Sequence, residues 1–196
     1  MNNKIILHLC ADIGSDSEPY KKAGYDVRLV GSDIGVENYH PPKNVYGIIA
    51  NPVCTMFSKA RANAKTPRDM KQGMFLVKEC LRVIWESQYF MVAKHIPHKL
   101  KFWSIENPGS GYLKHYLGNP TYTYHPYQYG ENYTKKTSLW GFFNIPKETT
   151  PDGNAPKGRS VCDLITPITY RCRKDRMHAR SMCPPGFAQA FFDANR

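Results

Sequence analysis

The sequence contains no CxxC pair, no internal repeat, no low-complexity tract and no apolar run longer than a handful of residues. Each absence removes a class of protein. The longest apolar runs, such as 46–50, fall far short of the roughly 20 residues that cross a bilayer, so no transmembrane helix and no membrane partner are expected. Met1-Asn2-Asn3-Lys4 runs directly into the apolar segment from Ile5, with neither the length nor the small-residue cleavage site of a secretory signal; a cytoplasmic protein is expected. Six cysteines, at 10, 54, 80, 162, 172 and 183, lack paired spacing and read as free thiols rather than a disulfide framework. The intervals among Cys162, Cys172, His178 and Cys183 fit no usual zinc pattern, so no metal site is expected. Acids are also scarce, 16 against 27 Lys and Arg, which leaves a formal charge of +11. Such an excess favours a polyanionic partner through counterion release, although a merely basic soluble protein has the same arithmetic.

What is present is enough apolar material, 41% of 196 residues, for one ordinary core and too little length for two full-sized domains. A strand over 4–10, a polar turn rich in capping residues, a short helix over 18–23 stopped by Gly24 and a second strand over 26–30 make a β-α-β opening. A third strand over 45–50 stops at Asn51-Pro52 and delivers Cys54 into a loop. Thr66-Pro67-Arg68-Asp69 carries the marks of a helix start, with Thr66 as cap. Met70, Met74, Val77, Leu81 and Ile84 follow at helical spacing. A fourth strand over 100–105 ends in a loop beginning at Glu106. An alternating aromatic stretch over 121–129 and a strand over 137–143 then close the sheet, and 187–194 forms a terminal helix. Strands alternating with helices imply an α/β fold of Rossmann-like type, a mostly parallel sheet flanked by helices, with ligands beyond the carboxyl ends of the strands. The loops 11–17, 51–58 and 106–111 converge there.

Those loops carry the candidate chemistry. Cys54 is a nucleophile if a helix start or a cation lowers its pKa, and otherwise a small buried hydrophobe. Glu106, at a strand's carboxyl end, addresses either a substrate amine or neighbouring backbone N–H groups. Gly14 permits close approach of a ligand to the first turn, or simply a tight turn. Tyr122, Tyr124, Tyr127, Tyr129 and Tyr133 offer either base-stacking platforms or a half-buried aromatic strand.

The order of these blocks resembles the DNA cytosine C5-methyltransferases. A first β-α turn, a strand delivering Pro-x-Cys, a strand delivering Glu-Asn, a Lys-rich block and a C-terminal helix follow one another, over 4 to about 145 and again over 180–195. The resemblance implies a methyltransferase fold that binds S-adenosylmethionine, with DNA as partner. Residues 9–14 occupy the cofactor turn, with Asp12 in place of its first glycine and Gly14 retained; Asp33, after the second strand, and Asn51 and Pro52 complete the implied cofactor site. Cys54 would attack C6 of cytosine, and Glu106 would hold the base at N3 and the exocyclic amine. Ile105-Glu106-Asn107-Pro108 matches the family's Glu-Asn block, whereas Val53 intervenes between Pro52 and the cysteine. Lys135 and Lys136 stand near a block where the family carries arginines, and are implied phosphate or base contacts.

In place of the family's long target-recognition domain there is only the basic insertion 146–180, within a single catalytic domain over 1–196. It includes Lys157, Arg159, Arg171, Arg173, Lys174 and Arg176. Arg171, Arg173 and Lys174 are the implied phosphate grip, and little sequence specificity is expected. Three alternatives stay open: transfer to an exocyclic amine, suggested by Asn51-Pro52; a non-catalytic nucleic-acid-binding descendant of the fold; and a modified donor or a free-nucleotide acceptor.

Overall fold

The computed structural model describes residues 4–11, 13–89, 100–150, 155–157, 160–161 and 172–196. Six strands, β1 (Ile5–Leu9), β2 (Asp26–Val30), β3 (Val45–Ala50), β4 (Phe102–Pro108), β5 (Tyr122–Tyr124) and β6 (Thr137–Phe142), form one sheet in the order β2-β1-β3-β4-β6-β5. The first four are parallel, while β6 runs antiparallel to both β4 and β5. The sheet is therefore mixed, parallel only in its first four strands. Helices α1 (Glu18–Lys22), α2 (Met70–Tyr89), α3 (Lys114–Leu117), α4 (Arg173–Ser181) and α5 (Pro185–Asn195) accompany the sheet, with short 3-10 turns between elements. No described helix is long and apolar enough to cross a membrane.

Strand alternation sorts the core into two layers. Leu7, Leu9, Ile48, Ala50 and Ile105 face α2, meeting Val77, Cys80, Val83 and Ile84. Ile6, Ile49, Phe102 and Leu139 face α5, meeting Phe187, Phe191 and Phe192. The α5 layer is aromatic: Phe102 lies 5.5 Å from both Tyr20 and Phe191, and Tyr124 stacks on Phe187 at 3.7 Å. Tyr124 and Tyr129 are buried there, so the aromatic stretch serves the core at these positions. It is also a strand only over Tyr122–Tyr124, because Pro126 brings no N–H to a ladder and the chain turns into a 3-10 helix over Pro126–Tyr129.

Two helix boundaries differ from expectation. Thr66 does not cap α2: its hydroxyl and carbonyl are taken by Arg61, and Asp69 Oδ1 accepts the Gln72 N–H at 2.9 Å instead. Helix α4 lies inside the basic insertion, where a charged sequence with few apolar residues gives no periodic signal.

Chain order and sheet order together locate the site. After β1 the chain places β2 on one side, then crosses to place β3 on the other, so the carboxyl ends of β1 and β3 flank a switch point, where open α/β sheets hold ligands. Because β6 is antiparallel, its first residue, Thr137, pairs with Pro108 at the end of β4 and brings Lys135 and Lys136 to that same edge.

Candidate functional site

The site is built on the sheet face that meets α5. His8 is in register with Ile49, and Ile49 with Ser104, giving one cross-strand row. Two residues further along, Asn51, Glu106 and Leu139 lie on the same face, with Glu106 directly paired to Leu139. Glu106 therefore belongs to β4 rather than to the loop after it. Asp16 and Cys183 close the end of this row, and Phe187, Ala188 and Phe191 cover it. The enclosed cavity is about 10 Å³, on the order of one water.

Polar groups in this corner are tightly committed. The Ser17 hydroxyl donates to the Gly14 carbonyl at 3.1 Å, so it accepts from His8 Nδ1–H at 2.9 Å; Nε2 is then an acceptor, 3.3 Å from Asn51 Nδ2. Asn51 Nδ2 also donates to Asp16 at 2.8 Å. Burial pushes the His8 pKa down, against the pull of Asp16, which keeps the ring neutral. Asn51 Oδ1 is buried without a hydrogen-bond partner among the described residues. The first turn is pinned from the far end of the chain, where the Cys183 N–H donates to Ser15 Oγ at 2.9 Å.

Glu106, in β4, and Cys54, just beyond β3, are near enough for the carboxylate charge to act on the thiol. Burial raises the Glu106 pKa from 4.5 to about 7; the Lys135 charge opposes the rise and Asp16 adds to it. Burial also raises the Cys54 thiol, the Glu106 carboxylate adds to this, and Lys135 opposes it. A cation does stand near the thiol, as activation requires, but burial and the carboxylate outweigh it. Lys135 Nζ itself donates to the Arg180 carbonyl at 3.0 Å, and its charge acts on Cys54, Glu106 and Cys183. It is thus half-buried within electrostatic reach of the pocket, while Lys136 is exposed.

Asn107 faces the other side of β4. Its Nδ2 donates to the Pro52 carbonyl at 3.1 Å, tying β4 to the strand end that leads into Cys54. Glycine permits a second tie at Gly73 of α2, where an added Cβ would lie 2.8 Å from Met56 Cβ. Of the expected cofactor residues, Gly14 is buried in the left-handed region at φ +75°, as a tight first turn demands, and Asp33 is exposed after β2. Pro52 is buried, with its carbonyl engaged by Asn107. Asp12 and Arg171 lie outside the described residues; Arg173 opens α4 and Lys174 follows it there.

Sequence reading missed His8, Asp16 and Cys183. The available signal was strand parity: His8, Asn51 and Glu106 are polar residues near the carboxyl ends of otherwise apolar strands, and all fall on one face. No family model matches the sequence, and no curated protein matches it.

Proposed function

We propose that this protein is an S-adenosylmethionine-dependent methyltransferase of the DNA cytosine C5 class. The observation that carries the reading is the proximity of Cys54 to Glu106, whose carboxylate acts on the thiol and whose pKa near 7 leaves it partly protonated at neutral pH. A protonated Glu106 donates to N3 of a cytosine, withdraws electron density from the ring and favours thiolate addition at C6. Its protonation also removes the negative charge that holds the Cys54 proton in place. Lys135 stabilises the thiolate. The Asn107 to Pro52 bond fixes the approach of the nucleophile loop, and the aromatic cover of α5 keeps water from the carboxylates.

The groups at the switch point suit the cofactor: Asn51 Oδ1 is an acceptor with no donor among the described residues, suited to an ammonium, and Asp33 is an exposed carboxylate suited to a ribose diol. When bound, S-adenosylmethionine would supply an electrophilic methyl carbon to the C5 that Cys54 addition has activated, and loss of the C5 proton to a base would then expel the Cys54 thiolate and restore the ring. Since C5 and C6 are hidden in a duplex, the base reaches Cys54 flipped out or from a single strand.

The test is a covalent trap. Wild-type protein, S-adenosylmethionine and DNA containing 5-fluorocytosine are expected to give a protein–DNA adduct by mass spectrometry, absent in Cys54→Ser. No adduct, with cofactor binding demonstrated by calorimetry, overturns the reading. The narrow cavity and the raised thiol favour a second one, a nucleic-acid-binding descendant without catalysis; it predicts DNA binding without cofactor binding.

A further inference from the structure

Beyond Cys54 the chain forms a second cavity, a cleft of about 490 Å³ lined by Lys59, Arg61, Thr66, Pro67, Arg68 and Tyr112 among others. That volume lies in the usual range for a small-ligand site. Among the described residues no acidic side chain lines it. The two arginines are held rather than loosely solvated, whereas Lys59 is exposed. Arg61 Nη2 donates to both oxygens of Thr66 and to the Pro67 carbonyl, while its Nε is buried without a hydrogen-bond partner among the described residues. Arg68 donates to the Met56 carbonyl at 2.7 Å, and its guanidinium sits 4.9 Å from the centre of the Tyr112 ring. The Tyr112 N–H in turn donates to the Phe57 carbonyl at 3.0 Å. The cleft is thus fastened to Met56 and Phe57, immediately beyond the nucleophile. Tyr112 is also one of the exposed large aromatic residues, at 37%.

We infer that this cleft is a subsite for a nucleotide flanking the reacting one in single-stranded DNA, with the phosphodiester on Lys59 and Arg61 and the base stacked at Tyr112. The inference rests on the methyltransferase reading for the identity of the neighbouring site. Phosphate recognition follows from a fixed guanidinium and a nearby ammonium in one cleft. Single-strandedness follows from the aromatic wall, because a base offers its face to a tyrosine only when it has left its own stack.

Fluorescence anisotropy with fluorescein-labelled dT12 across a sodium chloride series tests it, with a 12-base-pair duplex for comparison. Wild type is expected to bind the single strand more tightly than the duplex. Lys59→Gln should lower the slope of log affinity against log salt by about 0.7, the value of one single-strand phosphate contact. Tyr112→Leu should keep the slope and weaken binding by about 5- to 100-fold, and Tyr112→Phe should restore it. An unchanged slope in Lys59→Gln, or equal binding by the Leu and Phe variants, overturns the subsite; tighter binding of duplex overturns its single-strand character. Lys59 is exposed, so its slope decides the matter even if Tyr112→Leu does not fold. The 5-fluorocytosine trap is read separately: dT12 binding with these variant effects but no adduct keeps the cleft and removes methyl transfer.

Discussion

The two faces of the sheet meet the same set of strands and end differently. Toward α2, the core is apolar through Leu9, Ala50 and Ile105, and its buried polar pair, Asn107 and Ser138, comes only beyond Ile105. Toward α5, it is aromatic in the middle and turns polar at the carboxyl edge, through His8, Asn51, Ser104 and Glu106. One face is thus free to be a packing surface. The other gives up apolar contact at its rim to hold two carboxylates, and its aromatic rows make up the burial lost there.

The largest expected effect tests that compensation. Phe102→Ala should cost about 3–5 kcal/mol in urea unfolding, since it removes contacts with Tyr20, Tyr46 and Phe191. Ile105→Ala on the opposite face should cost less; the reverse ranking would break the contrast.

Glu106→Gln probes the polar rim. With its folded pKa raised from 4.5 to about 7, Glu106 favours the folded state only while protonated. Stability is full below about pH 4.5, falls as pH rises through 7, and is then lower by about 3 kcal/mol. Thermal melts should therefore find Glu106→Gln more stable than wild type at pH 8 and equal to it at pH 4. A pH-independent difference would mean that Glu106 is well solvated.

Asn107→Ala should cost about 1–3 kcal/mol, because the Pro52 carbonyl loses its donor, and limited proteolysis should find the loop 51–58 cut faster. Gly73→Ala has the smallest effect and an informative sign. An alanine inside a helix ordinarily gains about 1 kcal/mol over glycine. Here a Cβ 2.8 Å from Met56 Cβ should turn the gain into a loss of about 1 kcal/mol in the same unfolding assay.

Much of this frame was legible. The strands ending at Leu9, Val30 and Ala50, the periodic helix from Met70 and the C-terminal helix follow directly from apolar spacing, and the convergence of Cys54 and Glu106 follows from strand order. Other parts depend on contacts that spacing does not encode. The antiparallel course of β6 turned a Lys-rich block into one half-buried lysine bonded to the Arg180 carbonyl and one exposed one. Asp69 took the cap from Thr66 because Arg61 had already engaged that threonine. His8 looked like a stray polar residue in an apolar run until the neighbouring strands set its row.

The bond from the Cys183 N–H to Ser15 joins positions 168 apart, and it ties the start of α5 to the first turn beside the carboxylate row. Contacts this distant in sequence form late and slowly, after local helices and hairpins. Refolding should therefore recover its far-ultraviolet signal before the pocket exists, and ligand-binding competence should return as a separate, slower phase that reports closure between the first turn and the C-terminal helix.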